Sequence, residues 1–69
     1  MIFIEINEFN GKGQEPTKTY INVAEISVIR EMGNGTRIIT KNGKIFDTES
    51  SIGDVIELIK SVMEIYEKY

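Results

Sequence analysis

The chain contains no cysteine and no histidine. Without thiols there is neither a disulfide framework nor a thiolate metal site, and without imidazole the commonest zinc ligand is missing. Long apolar runs are missing as well. Met1-Ile2-Phe3-Ile4 is interrupted at once by Glu5, no basic stretch or small-residue cleavage site follows, and no run approaches membrane-spanning length. The expectation is a cytoplasmic protein with no membrane partner. Nor is there an excess of basic residues: eight Lys and Arg stand against eleven Asp and Glu, a formal net charge of −3. Nucleic-acid affinity rests largely on a basic face that neutralises phosphates, so this balance argues against a general polyanion binder.

With 69 residues there is room for one domain and one core, and residues 1–69 are read as a single small α+β domain. A chain of this size buries so little apolar surface that its stability is marginal without help. Since disulfides and thiolate metal sites are excluded, association with a second copy or a partner protein is the remaining route.

Strand signals fill the first two thirds of the chain. Ile2, Ile4 and Ile6 alternate with Phe3, Glu5 and Asn7, the period of a strand with one face inward. Asn10 to Pro16 is polar, and its glycines and proline cannot sustain a ladder, so it reads as a loop. Thr17 to Asn22 resumes β propensity, Val23-Ala24-Glu25 reads as a bend, and Ile26 to Met32 as the next strand. Gly33-Asn34-Gly35 supplies a tight turn. Asn42-Gly43, flanked by Ile38-Ile39-Thr40-Lys41 and Lys44-Ile45-Phe46, predicts a hairpin with a type I′ turn, positive φ falling at both central positions.

The helix is announced by Ser51, a capping residue, with Asp54 three residues on near the positive end of the dipole. Ile52, Val55, Ile56, Ile59, Val62, Met63 and Tyr66 recur at helical spacing. Leu58 and Ile65 fall outside that stripe and widen the apolar arc toward half the circumference. Either a curved sheet covers them or they form a surface for self-association or a partner. The expected architecture is a curled antiparallel β-meander of four to five short strands followed by one C-terminal amphipathic helix.

Chemical constellations are sparse. Ser51 beside Asp54 or Glu57 has no histidine to act as base, and capping explains it. Asp47, Glu49 and Asp54 gather near the helix start but lack a metal-loop spacing, and carboxylates there ordinarily offset the dipole. Gly11-Lys12-Gly13 and Gly33-Asn34-Gly35 lie between strands and do not continue into a phosphate loop. Lys18, Arg30, Arg37, Lys41 and Lys44 share the β region with Tyr20 and Phe46, as in a stacking platform for single strands. The interleaved Glu25, Glu31, Asp47 and Glu49 dilute any such patch.

Tyr20-Ile21-Asn22, Glu25 to Ile29, Thr36 to Thr40, Asn42-Gly43-Lys44-Ile45-Phe46 and Glu49-Ser50-Ser51 leading into Val55-Ile56 together resemble the FlbD-like family of small flagellar-operon proteins. The likeness spans about two thirds of the chain. It implies the same strands, Asn-Gly-Lys turn and Ser-capped helix, and an accessory or interaction role without catalytic residues. The longer excursion from Asn10 to Pro16 departs from the family pattern, as does Val23-Ala24 where the family has Pro-Asp. These departures leave open a phage or mobile-element binding protein on a similar plan.

The expected function is therefore that of a non-catalytic accessory protein, self-associating or partner-binding through an apolar helix edge of Leu58, Val62, Ile65 and Tyr69. The alternative is a host-protein inhibitor or a module for a small molecule or nucleotide, with Arg37, Lys41 or Lys44 meeting an anionic group. Neither reading requires a cofactor or a metal.

Overall fold

The computed structural model of the chain describes residues 1–67. Five antiparallel strands form one sheet: β1 (Phe3–Glu8), β2 (Thr17–Asn22), β3 (Ile26–Met32), β4 (Gly35–Thr40) and β5 (Ile45–Thr48). One helix, α1 (Ile52–Glu67), follows, and a short 3-10 turn, Val23–Glu25, joins β2 to β3. The α+β class and the single C-terminal helix agree with the expectation from the sequence.

The spatial order is β2-β1-β5-β4-β3, so a β1–β2 hairpin meets a β3–β4–β5 meander along β1 and β5. That junction is narrow. Its ladder is the pair Glu8 and Thr48, extended by the Phe9 amide donating to the Asp47 carbonyl at 2.7 Å. Curling then follows from chain length. In a flat five-stranded sheet the two edge strands would lie about 19 Å apart, yet the connection from Asn22 to Ile26 reaches at most about 14 Å. The sheet must bend at the β1–β5 junction to bring β2 and β3 together.

The connection is pinned at several points. Asn22 accepts from the Ala24 amide through its side chain at 3.1 Å, Val23 donates to the Ile2 carbonyl at 2.8 Å, and the Glu25 carbonyl accepts from the Lys41 amide at 2.8 Å.

Inside the bend lie Ile4, Ile6, Ile21 and Ile38, with Val55 of α1 closing over them. β1 follows the predicted alternation, Ile4 and Ile6 inward and Phe3 outward. On β4, Thr36, Ile38 and Thr40 are buried while Arg37 and Ile39 are half-exposed. The buried threonines are satisfied, as polar groups out of water must be. Thr36 donates to the Ser50 carbonyl at 2.8 Å, Thr48 accepts from the Ser50 amide, and Thr40 bonds within the β4–β5 loop. The Ser50 backbone is thereby held from two strands, which sets the direction in which the chain enters α1.

The β4–β5 turn differs from the predicted type I′. The Thr40 carbonyl accepts from the Gly43 amide, the Thr40 amide donates to the Lys44 carbonyl, and only Gly43 has positive φ, at 86°. The loop is thus Lys41-Asn42-Gly43, with the left-handed glycine at its third position in the manner of a bulge-closed hairpin. Asn42 takes no positive φ because a three-residue loop does not ask for one; its side chain instead accepts from the Thr40 hydroxyl.

Candidate functional site

α1 begins as its sequence demands. Ser51 Oγ accepts from the Asp54 amide at 3.1 Å, satisfying one of the free N–H groups of the first turn. Val55 is buried, and Ile52, Leu58, Ile59, Val62 and Met63 are half-buried. Ile56 and Ile65 stay in solvent, 41% and 60% exposed. The buried stripe is therefore centred on Val55, Ile59 and Val62 and takes in Leu58, while Ile56, expected within it, is left outside. Helical spacing puts Ile56 and Ile65 on opposite margins of the arc.

Of the proposed helix edge, Leu58 and Val62 pack against the core, and Ile65 projects into water. Tyr69 lies outside the described residues, as does the side chain of Tyr66. Beside Met63, on the other margin, an open groove of about 450 Å³ runs along Met1, Ile2, Val23 and Ala24. The C-terminal half of α1 thus keeps apolar side chains incompletely covered on both margins.

The three cations suggested for an anion do not converge. Arg37 donates to both oxygens of Asp47, at 2.8 and 3.1 Å, directly across β4 and β5. This hydrogen bond is the main reason that the Asp47 carboxyl is held below its ordinary range, partial burial opposing it and the charge of Arg37 adding to it. Asp47 is thus engaged by a neighbouring strand and does not join Glu49 and Asp54 in a cation site. Among the described residues no group of carboxylates has the arrangement to hold a metal ion.

Lys41 sits exposed in the hairpin loop, its amide donating to the Glu25 carbonyl. Lys44 lines a cleft of about 200 Å³ with Tyr20, Asn22, Glu25, Asn42 and Phe46. Tyr20 donates to Glu5 Oε1 at 2.9 Å, and that hydrogen bond to a carboxylate raises the phenol above its usual pKa.

The register also assembles a surface that the sequence reading did not single out. On the outer face of the meander, Val28, Ile39 and Ile45 stand side by side across three strands, and Arg30, Arg37 and Asp47 form the next row. Val28 is 38% and Ile45 54% exposed. The β4–β5 loop length decides it, because a three-residue loop puts Ile39 opposite Ile45, whereas the two-residue loop expected from Asn42-Gly43 would put it opposite Phe46. No family model, curated protein or solved structure matches this chain.

Proposed function

We propose that this chain is a non-catalytic accessory protein that works by association, joining a second copy of itself through the apolar margin of α1 that ends in Ile65. The observation that carries the reading is the mismatch on the helix: of an apolar arc of about half its circumference, only Val55 is completely buried among the described residues. A small domain without staples gains the burial it lacks by covering such an arc. The resemblance to small flagellar-operon proteins supports an accessory role of this kind.

A backbone amide spectrum recorded over a series of protein concentrations tests it. Signals from Leu58 to Ile65 shift or broaden as concentration rises, ahead of the rest of the chain. A spectrum that does not change over the series contradicts self-association.

The cleft around Lys44 supports a second reading, a small anionic or nucleotide ligand seated between β2 and the β4–β5 loop. A ligand at a hundred times its dissociation constant stabilises the fold by about 2.7 kcal/mol, so a thermal-shift screen finds it. Lys44→Ala then removes the shift, and a screen without any shift counts against this reading.

A further inference from the structure

We infer that the cleft between β2 and the β4–β5 loop takes the base of a free nucleotide, read by the exposed backbone edge of β2 at Tyr20. The inference rests on the ligand reading given second above and names the chemistry by which the ligand is recognised.

The cleft meets β2 at its edge. Tyr20, Ile21 and Asn22 all line it, and successive side chains of a strand point to opposite faces, so three consecutive residues share a cleft only where it opens on the strand's margin. The register says which backbone groups lie there. Phe3 opposes Asn22, and the Val23 amide donates to the Ile2 carbonyl. Bonding toward a partner alternates along an antiparallel strand, so Thr19 and Ile21 turn their N–H and C=O groups to β1 and Tyr20 turns its own away. β2 ends the strand order, and no strand receives them. The Tyr20 hydroxyl is meanwhile committed to Glu5, so what Tyr20 offers the cleft is its backbone.

An outward N–H beside an outward C=O is a donor next to an acceptor. That pair complements the edge of a nucleobase, where an acceptor likewise lies next to a donor.

The rest of the lining fits the same occupant. The side-chain oxygen of Asn22 accepts from the Ala24 amide and that of Asn42 from the Thr40 hydroxyl. Their NH2 groups, which have no acceptor among the described residues, remain as donors to ring or ribose oxygens. Phe46, half-buried against the core, supplies an apolar wall for a flat ring. Lys44 is exposed and suits a phosphate at the rim. Glu25 also lines the cleft; its carboxylate repels a bare anion and accepts from the amino and hydroxyl groups that a nucleotide brings. At about 200 Å³ the cleft is smaller than the roughly 300–1,000 Å³ of pockets that enclose drug-sized ligands, so the base enters and the sugar phosphate stays outside.

Calorimetric titration compares the common nucleoside monophosphates with phenyl phosphate, which keeps the anion and a flat ring but has no polar ring edge, and with ribose phosphate, which has no base. At least one monophosphate binds about tenfold tighter than either control, and amide NMR shows the Tyr20 N–H shifting as it binds. Tyr20→Ala keeps the N–H and the affinity. Tyr20→Pro removes the N–H at an outward position of an edge strand, where proline is tolerated, and weakens binding about tenfold; far-UV circular dichroism checks that both variants fold.

A control that binds as well as the best monophosphate overturns the reading of the base and leaves a small anionic ligand standing. If no probe binds, both fall. Equal affinities for folded Tyr20→Pro and Tyr20→Ala overturn the role of the edge, and should the proline variant not fold, a native Tyr20 amide that does not shift overturns it as well. A short oligoribonucleotide that binds about tenfold tighter than its monophosphate overturns the free nucleotide as the occupant.

Discussion

Gly35 lies so close to Thr48 that a Cβ added to it would collide with the Thr48 carbonyl oxygen. The backbone at Thr48 and Glu49, where the chain leaves β5, closes on Gly35 because no side chain intervenes, and the Thr36 and Thr48 bonds to Ser50 then steer the chain into α1. Gly35→Ala must displace backbone, and the expected cost is at least about 2 kcal/mol. Gly33, two residues earlier, has open space around it and no positive φ. Gly33→Ala is neutral or stabilises by up to about 1 kcal/mol by restricting the unfolded chain. Urea denaturation of the two variants side by side checks the contrast.

The β4–β5 loop makes a different demand on its glycine. Gly43 faces open space but has φ of 86°, so Gly43→Ala costs about 1–2 kcal/mol through backbone conformation alone. Asn42→Gly, which would be nearly free in a type I′ turn, removes the acceptor of the Thr40 hydroxyl and destabilises. Thermal melts of both variants distinguish the three-residue loop from the two-residue one.

This loop shows what was and was not legible in the sequence. Asn42-Gly43 announces a turn by local chemistry, but loop length depends on which partner the Thr40 amide finds across the hairpin. Shifting the pairing by one residue changes every facing pair, so the row of Val28, Ile39 and Ile45 and the opposition of Arg37 to Asp47 were out of reach. Ser51 as a cap and Ile4 and Ile6 as core were legible because each rests on its neighbours in sequence. The choice between Leu58 and Ile56 was not. Both flank the same apolar arc, and the way α1 lies against β1, β3 and β4, a tertiary fact, decides which is covered. The approach of β2 to β3 likewise follows from strand order, which no local signal encodes.

The helix stripe yields its own test. Leu58→Ala loses packing against the core and costs about 2 kcal/mol, whereas Ile56→Ala, at an exposed position, changes stability by about 0.5 kcal/mol or less. Denaturation of the two variants gives that order; the reverse order would put the core on the face with Ile56.

Asp47 predicts a response to acid. Its carboxyl is held down by Arg37 in the folded chain, so the folded state binds this proton less readily than the unfolded state. A depressed carboxylate contributes stability above its unfolded pKa, and that contribution is lost as pH falls through the folded value. The effect is modest because both side chains are about a third exposed, 33% and 38%, and solvent screens the pair. In Arg37→Gln the Asp47 titration moves up toward the ordinary carboxylate range, as side-chain carboxyl NMR would show, and the acid-side loss of stability shrinks.

The most direct test of self-association through α1 is the molar mass of the purified chain by light scattering behind size exclusion, at two protein concentrations, with Ile65→Asp alongside. The account predicts a multimer for the native chain that Ile65→Asp reduces to a folded monomer. A native chain that is monomeric at both concentrations, or a multimer that Ile65→Asp leaves intact, contradicts it.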